Sequence, residues 1–356
     1  MMDIKTYTDD ALSLLKELIA TPSVSRDEKA AADVLARHME GYGLKYEREE
    51  NNIWTLSPDF APDRQTILLN AHIDTVKPVE SWTRDPFTPT MEGDTLYGLG
   101  ANDCGGGLVS LLQAFRMLAG KSEANLIFLA SCEEEVSGQN GIVRALPRLP
   151  HIDVAIVGEP TGMQPAVAEK GLMVIDMIAH GRSGHAARAE GVNAIYEMLD
   201  DLLWIRNYQF PKVSPLLGST LMQVTMVNAG TQHNVVPDKC QAVIDVRTNE
   251  LYTNEEVFDM IQKNVKSEVK ARSFRLHSSS IPLDHPLIQK LDEMGKKPFG
   301  SPTLSDQALM PFPSFKMGPG DSARSHSADE FIRVSEISDA IETYVKIISS
   351  SATLQD

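Results

Sequence analysis

The sequence predicts an α/β protein with a mostly parallel central sheet and a smaller α+β domain inserted into it. Three observations carry that prediction. Short apolar runs at residues 66–69, 125–130 and 154–157 alternate with helical stretches, as in a sheet covered by helices on both faces. After Lys170-Gly171 the alternation changes to the order βαββαβ, the ferredoxin-like plan. From Ile281 onward helical patterning returns, which brings the chain back to the first domain. The boundaries drawn from this are residues 1–171 and 279–356 for the large domain and 172–278 for the insertion.

The elements follow in chain order. Residues 8–19 carry apolar side chains at helical spacing. Ser25 and Glu28 form the S-x-x-E capping box of a second helix that runs through His38. Gly105-Gly106-Gly107 leads into a helix over 108–118, between the first two apolar strands. In the insertion, 172–179 reads as a strand and 192–205 as a helix. Strands at 221–228 and 239–247 come next, then a helix over 254–269 and a short strand near 274–277. A helix near 288–294 follows Pro282 and Pro286. The last helix, 335–349, comes after a loop rich in glycine and proline.

Bulk composition narrows the class. The 356 residues suffice for two domains, and 42% hydrophobic with 23% charged residues is ordinary for a globular chain. A net charge of -16 argues against nucleic-acid binding, which needs a basic face. No apolar run approaches the roughly 20 residues of a membrane span. The start, Met1-Met2-Asp3-Ile4-Lys5, lacks the basic-then-apolar pattern of a signal peptide. The three cysteines, Cys104, Cys132 and Cys240, form no CxxC pair. A cytoplasmic protein is the expectation.

Chemistry enters at the strand ends. The strand 125–130 runs straight into Ser131-Cys132-Glu133-Glu134-Glu135. Three carboxylates at the end of a buried strand repel one another and are costly to desolvate, and a metal cation offsets that cost. His72 and Asp74 follow the strand 66–69 as an H-x-D pair on one side of the chain. His72 suits a metal, with Asp74 behind it fixing the imidazole. Asp103 lies in a glycine-rich turn at a helix start, where it either caps the helix or ligates. Glu159 ends a further strand before Pro160, and His326 sits in the flexible loop 318–330. Imidazole and carboxylate donors without a thiolate pair fit zinc or cobalt in a hydrolytic site.

This ordered set resembles the dinuclear-zinc aminoacylase, carboxypeptidase and acetylornithine deacetylase family. The matching segments are Leu69 to Asp74, Gly98 to Asp103 with Gly105 and Gly106, Cys132 to Gly138, and Gly158 to Thr161. Gly181 to Ala186, Asn234 to Asp238, Asp245 to Arg247 and the surroundings of His326 match as well, so that residues 8–345 are covered. The resemblance implies two divalent metal ions, Zn2+ or Co2+. Asp103 would bridge them, His72 and Glu159 would complete one site, and Glu135 and His326 the other. Glu134 would be the general base and Asp74 would orient His72. The family has Asp-Glu-Glu where this chain has Glu133-Glu134-Glu135, so Glu133 and Glu134 as base and ligand are the alternative register.

The resemblance further implies that His185 reaches the active site of a partner subunit and stabilises the oxyanion there. Asn234 and Arg247 would bind substrate, Arg247 as a fork for a carboxylate. The large domain would then be catalytic and the insertion a lid and dimerisation domain. Length and motif phrasing are most similar to acetylornithine deacetylases, which implies hydrolysis of N-acetylornithine or a related N-acyl-ornithine or N-acyl-citrulline in arginine biosynthesis. Succinyl-diaminopimelate desuccinylase and a dipeptidase are the alternatives, and a non-catalytic peptide- or metal-binding relative is a remote one. The expected partners are a small N-acyl amino acid and a second copy of the chain, with no nucleic acid and no membrane.

Overall fold

The computed structural model describes residues 3–188 and 190–350. Two compact units divide the chain. One comprises the residues up to Val167, Ile281–Phe299 and the segment from Ser305 onward; the other comprises Ala168–Ser280 and Gly300–Leu304.

The first unit is built on a large mixed sheet. Thr66–His72 lies parallel to Asn125–Ser131 on one side and to Val154–Val157 on the other. Ser314–Lys316 continues the parallel run beyond Val154–Val157. All residues of the three longer strands are buried, which is why they read as unbroken apolar runs rather than as alternations. The flanks are antiparallel: Asn52–Leu56 pairs with Asn125–Ser131, and Glu47–Glu49 pairs with Asn52–Leu56. The expected mostly parallel sheet is therefore mixed. Only Glu50 and Asn51 separate those two strands, with Glu50 at φ 55°, and so short a link permits only an antiparallel hairpin.

Helices Ile4–Ile19, Gly106–Leu118 and Val334–Ser350 pack on one another against this sheet. On the opposite face the strand residues Trp54, Leu68, Ile127, Leu129 and Ala155 pack with Ile142 and Ala145 of the short helix Ile142–Ala145. Helix Gly106–Leu118 approaches the end of Val154–Val157 so closely that a Cβ on Gly107 would stand 1.7 Å from the carbonyl oxygen of Gly158. The Gly105-Gly106-Gly107 run thus serves helix-to-strand contact.

One sequence expectation fails in an informative way. Helix Lys29–Gly41 forms, but without the Ser25/Glu28 capping box. Ser25 Oγ instead donates to Asp74 Oδ2 at 2.7 Å, and Glu28 accepts from the backbone of Glu133 and from Asn51. Ser25 is thereby drawn away from the helix, whereas Glu28 links the backbone of Arg26, just before its own helix, to the acidic turn described below.

The second unit shows the order βαββαβ, with strands arranged as Leu221–Ala229, Lys239–Arg247, Met173–His180 and Glu268–Ala271, all antiparallel. Helices Ala194–Asn207 and Asn254–Asn264 contribute Met198, Ile205, Val257 and Ile261 to its core, against Ile175, Met177 and Ile244. The second helix ends at Asn264, five residues earlier than expected, and the last strand is Glu268–Ala271 rather than 274–277. Buried Asp201 causes the early stop. Its carboxylate accepts the N–H groups of Lys266 and Ser267 at 3.0 and 2.8 Å, which pulls them out of helical pairing.

Candidate metal centre

Parallel pairing brings the candidate residues to one end of the sheet, where open α/β sheets bind ligands. His72 is paired with Ser131, so the imidazole and the start of the acidic run stand side by side. Glu159 leaves the neighbouring strand two residues beyond Val157. Asp103 lies in the turn Ala101–Gly105 that feeds helix Gly106–Leu118. His326 follows the short turn Ser322–Arg324, in the left-handed region at φ 57°.

These side chains converge in two linked groups. His72 Nε2 is 3.3 Å from Asp103 Oδ1 and 3.6 Å from Glu159 Oε1. His326 Nε2 is 3.0 Å from Glu135 Oε2 and 3.5 Å from Asp103 Oδ2. Asp103 therefore turns one carboxylate oxygen to each histidine. Ligand-capable atoms of His72, Asp103 and Glu135 lie within 4.8 Å of one another, as do those of His72, Cys104 and Glu159. Glu159 Oε1 is buried and has no hydrogen-bond partner. An orphaned carboxylate oxygen amid two histidines and two further carboxylates fits divalent cations.

The surrounding contacts separate the three glutamates. Glu133 is in the left-handed region at φ 54°, and its carboxylate turns away to accept from Asn140 N at 3.2 Å and Asn140 Nδ2 at 3.0 Å. The reversal at Glu133 sends Glu135 toward His326. Asp74 holds the turn in place. Its buried carboxylate accepts the backbone N–H groups of Glu134 and Glu135 at 3.0 and 3.2 Å. Asp74 also faces the imidazole. His72 Nδ1 is 2.9 Å from the Asp74 carbonyl oxygen and 3.5 Å from its carboxylate. A carbonyl only accepts, so Nδ1 carries a proton; in the metal-free site Nε2 carries a second one, aimed at Asp103, and its loss frees the Nε2 lone pair on that side.

The electrostatics are those of a crowded anionic site. Burial pushes Glu159 up to about 8, and the Asp103 charge adds to it while His72 and Lys316 act against it. Burial likewise raises Glu134 well above the ordinary carboxylate range; Glu159, Asp306 and Glu135 add to the shift and His72 opposes it. His326 rises to about 9, chiefly through its hydrogen bond to Glu135. Burial opposes a charge on His72, yet its pKa is raised. Burial also pushes the adjacent Cys104 thiol up to about 12, so that thiol is neutral, and the Asp103 and Asp74 carboxylates account for the rise at His72.

Three residues expected at the site belong to the second unit. His185 is exposed in the short strand Gly184–His185, which pairs with Val235–Val236 beside Asn234. Asn234 uses its carbonyl oxygen to accept from Ala186 N at 3.1 Å. Arg247 closes the far end of strand Lys239–Arg247, roughly 27 Å along the strand from Lys239. Its fork is engaged by Asp245, at 2.8 and 3.1 Å.

Other residues escaped sequence reasoning. Asp306 is buried and accepts from Ser131 Oγ at 2.5 Å, which places a further charge near Glu134. Lys316, buried in the strand Ser314–Lys316, is a cation close to Glu159. Glu330 is buried and binds the Asp103 loop. The only signal for Glu330 was its place in the loop 318–330; Asp306 and Lys316 lie in a stretch that carried none.

A mixed α/β sheet with this paired His/carboxylate cluster at its end defines a metal-dependent hydrolase. The profile of Peptidase family M20/M25/M40 matches residues 68–350, and the chain belongs to that family. Curated relatives include acetylornithine deacetylases from Proteus mirabilis, 29% identical over 98% of each chain, and from Photorhabdus laumondii, 27% identical over 92% of this chain and 93% of the other. Among solved structures, a tripeptidase from Staphylococcus aureus aligns with TM-score 0.76 and 18% identity over 97% of this chain and 99% of the other. A dinuclear metal binding peptidase of the M20 family from Bacillus subtilis aligns with TM-score 0.74 and 16% identity over 97% and 98%.

Proposed function

We propose that this chain hydrolyses the amide bond of an N-acyl amino acid, N-acetylornithine or a related N-acyl-ornithine or N-acyl-citrulline, in arginine biosynthesis. Two divalent ions, zinc or cobalt, would be held by His72 and Glu159 on one side and by Glu135 and His326 on the other, with Asp103 shared. The observation that carries this reading is Asp103, whose two oxygens each face one histidine. Bound there, the ions supply Lewis acidity, which polarises a carbonyl and acidifies water. The chain's own residues do the rest. Glu134 accepts a proton from the attacking water as the water oxygen bonds to the carbonyl carbon. It then returns that proton to the amide nitrogen as the C–N bond breaks, giving a carboxylate and a free amine. Asp74 fixes the turn that aims Glu134 and Glu135.

The likeness to acetylornithine deacetylases over nearly the whole chain supports the acyl-ornithine reading. Asn234 and Arg247 are proposed to bind substrate, with Arg247 exchanging its Asp245 partner for a substrate carboxylate. The second unit is proposed as a lid and dimerisation domain that offers His185 to the partner's site. Helix Ala194–Asn207 exposes Tyr196, Leu199 and Leu203, and the free edge strand Leu221–Ala229 exposes Met226 and Val227, an apolar surface suited to a second copy. Three buried free cysteines fit a reducing cytoplasm.

The direct test is a panel of acetylornithine, succinylornithine, acetylcitrulline, succinyl-diaminopimelate and dipeptides, with and without chelator. Turnover of the ornithine substrates that chelation abolishes and zinc restores is expected. Preference for succinyl-diaminopimelate or a dipeptide would reassign the substrate, and no turnover of any would leave a non-catalytic binder. Glu134→Gln should retain two metals and lose nearly all turnover; an active variant removes Glu134 as the base.

A further inference from the structure

The loop that presents Asp103 is held through its backbone as well as by the side chain of Asn102. Gly100 lies in the left-handed region at φ 74°, and the N–H groups of Gly100, Asn102 and Asp103 point to a common centre. Backbone groups arranged in this way form an anion-binding nest. The occupant is the carboxylate of Glu330, 2% exposed. Its Oε1 accepts from Asn102 N and Asp103 N, both at 2.8 Å, and its Oε2 accepts from Gly100 N at 3.0 Å.

Strand pairing brings it there. Phe331 is in register with Tyr97, and Gly98 N donates to the Glu330 carbonyl at 3.0 Å. The contact spans 227 residues of sequence between Asp103 and Glu330, yet Glu330 is only four residues from His326. Asn102 closes the same junction from the other side. Its Nδ2 donates to the Asp321 carbonyl at 3.0 Å, and its Oδ1 accepts from Asp321 N at 3.0 Å. A Cβ on Gly320 would stand 2.1 Å from that Oδ1, so the loop fits only with glycine there.

We propose that Glu330 is a positioning residue whose carboxylate, seated in the backbone nest of residues 100–103, sets the separation of Asp103 from His326 and so fits the pair to two metal ions. The inference rests on Asp103 as the shared ligand. It adds a residue that touches neither metal nor substrate. Glu330→Gln keeps the shape but turns an amide N–H2 toward the nest, so its single oxygen serves at most two of three donors. Glu330→Ala leaves all three unpaired around a vacancy that acetate matches.

The experiment is a titration of metal-free protein with Co2+, followed by calorimetry and by the visible ligand-field spectrum, which reports coordination rather than folding. Wild type is expected to bind two equivalents. Glu330→Gln should fold natively, judged by circular dichroism, bind the pair about 10–100-fold more weakly and show an altered spectrum. Glu330→Ala should regain affinity and spectrum in acetate but not in chloride of equal ionic strength, with no tightening of wild type by acetate. Wild-type affinity and spectrum in Glu330→Gln would overturn the proposal, whatever the alanine variant does. Fewer than two equivalents in wild type would instead overturn the shared-ligand reading.

Discussion

Loading the metal-free protein should release protons, in a number that follows from the geometry of the site. Without metal, His326 is held at about 9 by Glu135, Glu159 at about 8 by burial, and His72 above its ordinary value. At pH 7 a group with pKa 9 is about 99% protonated and one with pKa 8 about 90%, and ligation requires all three to be deprotonated. Between two and three protons should therefore leave per pair of ions, on the order of a 100- to 1000-fold loss of overall affinity per pH unit from 7 to 6. The assay is calorimetry in buffers of different ionisation enthalpy, which counts the protons directly. A release below one proton would refute the assignment of these residues as ligands.

The same shifts set the pH dependence of metal-free stability. A histidine raised from 6.5 to about 9 contributes stability that is fully present below 6.5 and is lost as pH rises through 9. A carboxyl raised from 4.5 to about 8 is penalised as it ionises, which also lowers stability as pH rises across that range. Metal-free Tm should fall from pH 5 to 9, and bound metal should flatten the profile.

Two other perturbations test neighbouring parts of the structure. Asp74→Ala removes the acceptor of two backbone N–H groups and of Ser25; at about 1–3 kcal/mol for each of the two N–H groups left unpaired, with the half-buried Ser25 hydroxyl able to turn to water, roughly 2–6 kcal/mol should be lost in denaturant unfolding. Activity should fall with it, whereas Asp74→Asn, with one oxygen left, should lie between. Leu203→Lys and Met226→Lys place charges on the exposed apolar surface, at positions 50% and 55% exposed. Sedimentation should show a wild-type dimer and monomeric variants that keep the native circular dichroism, and a monomeric wild type would remove the dimer and the cross-subunit role of His185.

The apolar runs 66–69 and 125–130 and the helix 108–118 were legible because burial on both faces leaves a local compositional trace. The strand Ser314–Lys316 left none: it is three residues long, and its last residue is a lysine. The donor types His72, Asp103, Glu135, Glu159 and His326 were legible as a set because few roles other than a metal site gather so many imidazole and carboxylate groups at strand ends and in the loops beside them. Which glutamate faces inward was not. It depends on a left-handed backbone at Glu133 and on Asn140 taking that carboxylate.

Ser25 and Glu28 mark the boundary most clearly. Local spacing gave them to a helix cap, whereas the folded chain gives them to Asp74 and to the backbone of Glu133. A cap contributes about 1 kcal/mol at a site where water is an alternative partner, but a buried carboxylate or N–H beneath the acidic turn has no water to turn to. Sequence by itself determined the elements and the chemistry of the donors, because periodicity and residue type are local properties. Tertiary structure alone decided which oxygen faces which histidine and that Glu330 seats Asp103, because those contacts join segments up to 230 residues apart.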